Sequence, residues 1–356
     1  MTEVKRDTNL ELYRTFCMLL IVAHHYVVNS GLLAEILNPL PLSAKSAYLY
    51  VLGMWGKVGI NCFLMITGYF MCVSRITLRK FIKILAEIYF YSIVIYIIFL
   101  IAGRESLSMS RVFQVLLPVR DFDTDFTSCF VVFYLTIPFW NILISNMNKK
   151  QHQLLLVFLI VIFSICGTLP QFTVSINYVT WFGVIYAIAS YIRLYDIPAF
   201  NNKLIWMAGT IMLSLIAMAS VISMKHFGRY PFAFVVDSNK FLALALAICS
   251  FLWFKNINIK YSAVINAIGG STFGVLLIHA QSDAMRQWLW RDVIDCTGHY
   301  DLPIFQLVLY SLTSIVVIFA ICVLIDLLRQ RLLERHMLAS FDRLHSSHSK
   351  IGDPNF

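Results

Sequence analysis

Residues 305–328 read FQLVLYSLTSIVVIFAICVLIDLL, with Asp326 as the single charge in 24 residues. As a helix this run is about 36 Å long at 1.5 Å per residue, enough to cross the ~30 Å hydrocarbon core of a bilayer. Only a helix satisfies all its own backbone hydrogen bonds where water is absent, so a membrane span is expected here. Nine more runs share this character: Leu12 to Asn29, Gly56 to Val73, Phe81 to Ala102, Phe126 to Ser145, Leu154 to Leu169, Val174 to Ile192, Leu204 to Ser223, Phe234 to Phe254 and Ala263 to Ala280. The expected fold class is an all-α integral membrane protein of about ten transmembrane helices with short loops. Barrel strands would be half as long and alternating. Leu33 to Leu52 is interrupted by Pro39, Pro41 and Lys45 and is expected to form an interfacial loop or re-entrant piece.

Composition points the same way. Of 356 residues, 59% are hydrophobic and 13% charged, whereas soluble domains carry about a quarter charged residues. No water-facing shell could cover so much apolar surface, which excludes a disordered chain, a small disulfide-stapled fold and a cytosolic enzyme. An even number of spans places both termini on one side. That side holds 18 of the 28 lysines and arginines, so both termini are expected to be cytoplasmic and the protein multi-pass in the inner (plasma) membrane. The net charge of +9 follows largely from this bias, and no nucleic-acid partner is expected. Lys5 and Arg6 precede an apolar run that contains His24 and His25 and lacks an A-x-A site, which reads as an uncleaved first helix. Residues 9–330 are assigned to the transmembrane domain and 331–356 to a short basic cytoplasmic tail. Seven of the eight cysteines fall in or beside spans with no CxxC or Cys/His spacing, so no metal is expected. A Cys129–Cys296 bridge is left open, with free thiols the main expectation.

Ionisable groups inside lipid cost several kcal/mol unless paired or hydrated, so each one is a candidate for function. Arg14 and His25 are eleven residues apart, which returns them to within about 20° of one helix face, roughly 16 Å apart along the axis. They share a stripe, while His24 points about 100° away. A neutral imidazole can take a proton from a hydroxyl nucleophile and return one to a leaving group. Arg75, Arg79 and Lys83 follow at four-residue steps in the connection after the second span, so a helix there would align them as a fork for phosphate oxygens. Glu87, one turn beyond Lys83, is expected to form a structural ion pair with it. Asn61, Thr67 and His279 are weaker substrate-binding candidates, packing being the simpler reading of the first two. Asp121, Asp123, Asp125, Trp288 and Trp290 in the outer loops suit a carbohydrate, although interfacial tryptophans are common.

Several of these segments together form a family pattern. They are Glu11-Leu12-Tyr13-Arg14 with Leu20 through His25, Gly59 to Tyr69, Arg75-x-x-x-Arg79, Val132 to Asn141, and Phe273 to His279. From about residue 9 to 330 the chain resembles the bacterial membrane acyltransferase-3 family, which includes polysaccharide and lipopolysaccharide O-acetyltransferases. The resemblance implies a ten-helix enzyme that moves an acyl group, usually acetyl from acetyl-CoA, onto a hydroxyl of an envelope polysaccharide or lipid-linked sugar. It implies a catalytic histidine at His25, the helix-one arginine at Arg14 and the donor-binding pair at Arg75 and Arg79. Thr67-Gly68 stands where relatives often have Ser-Gly. No appended esterase-like domain is expected, so acceptor handling would fall to the loops. Acyl-CoA is then a co-substrate and no permanently bound cofactor is expected. A proton-coupled secondary transporter, with His25 as relay and the arginines as an anion site, is the rival class. A homodimer is neither required nor excluded by these residues.

Overall fold

The computed structural model describes residues 7–37, 42–117, 119–123 and 125–348. The readings made on Lys5, Arg6, Pro39, Pro41 and the last residues of the tail lie outside the described residues. The first helices are α1 Thr8–Val28, α2 Leu32–Leu37, α3 Ala44–Gly53, α4 Gly56–Met71, α5 Leu78–Ile101, α6 Met109–Leu116, α7 Phe126–Ser145 and α8 Lys149–Leu159. They are followed by α9 Tyr178–Leu194, α10 Lys203–His226, α11 Phe241–Lys255, α12 Ala263–Gly270, α13 Thr272–His279, α14 Asp283–Gln287, α15 Ile304–Arg329 and α16 Arg335–His348. Wider π-helical turns extend α8 through Ile160–Cys166 and α14 through Trp288–Val293, and join α15 to α16 through Gln330–Glu334. The described residues contain no strand.

A helix or helix pair stands at each of the ten expected positions, but fewer are long and apolar enough to cross a membrane. Six pass on length and composition, and α12–α13 with the segment from α14, bent by 95°, make seven if taken as one span. The shortfall has a physical cause. Helices α9 and α11 have 17 and 15 residues, and α1 carries Glu11, Arg14, His24 and His25, which dilute its hydropathy. The stretch Leu33 to Leu52, expected as an interfacial loop or re-entrant piece, is helical in α2 and α3 where it is described. Helices α3 and α4, separated by a two-residue turn at Met54–Trp55, count together as one candidate span, Ala44–Met71, with Leu49 and Tyr50 fully buried. The chain is a multi-pass helical membrane protein.

Hydrogen bonds between connections define two ends of the bundle. At the end where α1 begins, Asn9 donates to the Phe254 and Lys255 carbonyls, Asn256 to Phe200, and Asn141 to Met71. At the end where α1 finishes, Lys45 donates to the Tyr300 and Asp301 carbonyls, Lys225 to Leu37, and Lys240 to Gly167. Between these ends α1 packs against α3, α4, α12, α13 and α15, which makes it the central helix. Helix α9 is buried from Trp181 to Ile192. The outer helices expose Ile98, Ile101, Phe139, Leu154, Leu215 and Val316, an apolar coat that lipid would cover. All eight cysteines are free, Cys129 and Cys296 included.

Candidate active site

Helix α1 places Met18, Ile21 and His25 on one stripe, and that stripe lines a cavity of about 260 Å³. Ile60 and Phe63 of α4 and Ile88 of α5 close its deep part. Its polar lining comes from the end where α1 finishes, chiefly Lys57, Ser92, Arg120, Asp125, Gln281 and Arg286. The cavity therefore opens toward the face opposite the Arg75–Arg79 connection.

His25 Nδ1 lies 2.9 Å from His279 Nε2, and His279 Nδ1 lies 2.6 Å from the Val275 carbonyl oxygen. A carbonyl can only accept, so His279 must carry its proton on Nδ1, and its Nε2 is the acceptor. His25 then donates through Nδ1, and in the neutral ring Nε2 keeps the lone pair. His279 is fully buried behind His25, with Trp290 edge-on at 6.4 Å, so its ring has little freedom. One imidazole thus faces the cavity and a second, anchored to the backbone of α13, orients it.

His24 was placed off the stripe, yet it too lines the cavity. Its Nδ1 donates to the Gly53 carbonyl at 2.5 Å and its ring packs on Gly56, where a Cβ would fall 2.3 Å from the imidazole. The break between α3 and α4 lets the backbone approach so closely. Only glycine fits there.

The structure distributes the other sequence candidates differently. Arg14 is not at the cavity wall. It lies 3.4 Å from Glu11 and sits over the ring of Phe63, 5.6 Å from the centroid, so Phe63 touches both the cavity and the guanidinium. Arg75 and Arg79 are exposed at the far end, and the expected three-residue helical face is incomplete because α5 starts at Leu78 with Thr77 as its cap. Asp342 of α16 takes Arg79 in a two-point contact of 2.9 and 3.2 Å. Asn61 is fully buried and satisfied, accepting from the Trp181 indole at 2.8 Å and donating to the Ser238 carbonyl at 2.7 Å. Thr67 returns its hydroxyl to the Phe63 carbonyl at 3.3 Å. Neither Asn61 nor Thr67 reaches this cavity. Trp290 is fully buried and Trp288 packs edge-on to Phe99, so they do not form an open platform.

The expected Glu87–Lys83 pair is replaced by longer-range partners. Arg329 of α15 lies 3.1 Å from Glu87, 2.9 Å from Asp326 and 3.0 Å from Glu334, and Lys83 lies 2.6 Å from Glu334. Burial makes this substitution of partners necessary: Glu87 and Asp326 need a cation already inside, and Lys83 is nearer the surface. Asp326 also accepts from Tyr91 at 2.8 Å and presses on Gly274 of α13, where a Cβ would fall 2.3 Å from its Oδ1. The cluster thereby fixes the helix that ends at His279.

Lys57, Arg120, Gln281 and Arg286 were not singled out from the sequence. Three of them carry one signal in the sequence: they are among the 10 of 28 lysines and arginines that the expected topology puts on the side opposite the termini. Fold and site together define a multi-pass membrane protein whose central helix offers an oriented histidine to a polar-mouthed cavity. Residues 7–327 match the family model for an acyltransferase domain of the acyltransferase-3 type, and the chain belongs to that family. It is a membrane acyltransferase. No curated protein and no solved structure matches it.

Proposed function

We propose that this chain transfers an acyl group, acetyl in the first instance, from cytosolic acyl-CoA to a hydroxyl of an envelope glycan or lipid-linked sugar. The observation that carries the reading is the hydrogen-bonded chain Val275 carbonyl, His279, His25, which leaves His25 Nε2 as the base in the cavity. In the proposed step Nε2 takes the proton of the sugar hydroxyl as its oxygen attacks the thioester carbonyl. The C–S bond breaks and the coenzyme A thiolate takes that proton back from His25. The reading adopts ten crossings in the inner membrane with both termini cytoplasmic, so the acceptor enters at the cavity mouth from outside. The donor's anionic nucleotide end stays with Arg75 and Arg79, and the reading requires Phe63, which closes the deep end of the cavity beneath Arg14, to swing aside and admit the pantetheine arm to His25.

Purified full-length protein supplied with acetyl-CoA is expected to release thiol only when an envelope glycan fraction is added, with acetyl recovered on the glycan. Accumulation of an intact solute in proteoliposomes without thiol release would instead indicate a transporter. The Asp342 contact supplies a second test. An exposed ion pair is worth ~0.2–1 kcal/mol, so Asp342→Ala is expected to free Arg79 and lower the KM for acetyl-CoA by up to about fivefold. If neither Asp342→Ala nor Arg79→Ala moves that KM, the donor does not use Arg79.

A further inference from the structure

We infer that the acceptor sugar carries an anionic group, a carboxylate or a phosphate, held at the mouth of the His25 cavity by Arg120 and Lys57. This rests on the acyltransfer reading and adds the acceptor's chemical class.

Four charged side chains line the cavity: Lys57, Arg120, Asp125 and Arg286. Arg286 is neutralised by an ion pair, whereas Asp125 keeps its charge and is engaged by a backbone amide. Asp125 caps α7 by accepting from the Ser128 amide at 2.7 Å, and Arg286 pairs with Asp283 one turn away. Among the described residues neither of the other two has an ion pair. Lys57 Nζ donates to the Tyr178 hydroxyl and lies 5.1 Å from the centroid of that ring, both uncharged partners. Arg120 bonds only through its backbone amide, to Ser128 Oγ at 3.2 Å, and among the described residues its guanidinium has no hydrogen bond or ion pair. It also borders two neighbouring hollows of about 40 and 710 Å³, so it stands where the cavity widens into an outer groove. That groove is lined by Arg111, Arg120 and Arg286 and also by Asp121, Asp125 and Asp283, with Arg111 paired to Glu105 at 3.3 Å and Arg286 to Asp283.

Membrane topology does not account for these cations. Only 10 of the 28 lysines and arginines lie on this side, yet Lys57, Arg111, Arg120 and Arg286 gather around one opening. Elsewhere on this side Lys45, Lys225 and Lys240 donate to loop carbonyls, Arg104 pairs with Asp292, and Arg229 and Arg291 are exposed, away from the cavity, with no ion pair among the described residues. Lys57 and Arg120 make no ion pair among the described residues although Asp125 shares the entrance with them, and two such cations beside an oriented base fit a ligand that brings its own negative charge. A planar guanidinium takes either carboxylate or phosphate oxygens, so the two sources share one chemistry.

The test uses the glycan fraction isolated from cells that carry His25→Ala, which retains unacylated acceptor. Full-length protein and acetyl-CoA are assayed with that fraction untreated, after chemical reduction of its carboxylates, and after removal of its phosphates. One of the two treatments is expected to lower kcat/KM at least tenfold and thereby name the anionic group. Arg120→Gln is expected to produce a similar loss through the acceptor KM, with the KM for acetyl-CoA and the melting temperature unchanged, and to lose little more on the neutralised glycan. Undiminished transfer after both treatments overturns the inference, as does an Arg120→Gln effect confined to acetyl-CoA. Absence of any transfer by the wild-type protein overturns the acyltransfer reading itself.

Discussion

Replacing His25 with alanine is expected to lower the rate of glycan acylation by about 10²- to 10⁴-fold, the range that a positioned general base contributes. Thiol release and acetyl incorporation should fall together, and the protein should still fold, because His25 lines a cavity and its loss leaves one acceptor nitrogen on His279. The partner separates positioning from packing. His279→Ala removes the group that holds the proton on His25 Nδ1, so kcat is expected to fall by about 10²-fold with both KM values little changed. A merely structural histidine would alter stability and leave kcat per folded molecule intact. Because only the neutral ring accepts a proton, wild-type kcat/KM should also fall on the acid side of the imidazole titration. Full activity in His25→Ala would remove the basis of the proposed mechanism.

The largest stability effect is expected at Arg329. Its guanidinium is 6% exposed and serves Glu87, Asp326 and Glu334, whose carboxylates are 8%, 0% and 10% exposed. Removing one member of a buried ionic cluster leaves the others desolvated and uncompensated, at a cost of about 3–5 kcal/mol. Arg329→Ala should therefore melt far below wild type in detergent, and adding Glu87→Gln should restore part of the loss. Arg79→Ala is the internal comparison. It breaks an ion pair whose side chains are 50% and 52% exposed, and its effect should stay below about 1 kcal/mol. Since Asp326 abuts Gly274 in the helix that ends at His279, Arg329→Ala should also depress acylation in the fraction that folds. Equal melting of the two arginine variants would show that the cluster contributes little to stability.

Parts of this site were legible in the residues alone, and the reason is locality. Met18, Ile21 and His25 share a face because helical periodicity decides it within three turns, and the structure puts that face on the cavity. Arg14 belongs to the same stripe, but whether it meets the cavity depends on Phe63 of another helix. The Arg75–Arg79 step presumed a helix whose start is set by the Thr77 cap. His279 was legible as a polar group at the end of an apolar run, though not as the partner of His25. His24 points off that stripe, and it lines the cavity as well because the break at Gly53–Gly56 brings a carbonyl and a bare backbone to its ring.

Hydropathy by itself determined that this is a helical membrane protein, because transfer of an apolar run into lipid is a property of that run and its backbone. The motifs by themselves determined the family. Tertiary structure alone decided the chemistry of the centre: His25 meets His279 across 254 residues of chain, Glu87 finds Arg329 in place of Lys83, and Arg120 comes to the entrance of the cavity. Hydrogen bonds and ion pairs reach only a few ångströms, so which groups they join depends on how the helices pack, and no helix carries that information within its own sequence.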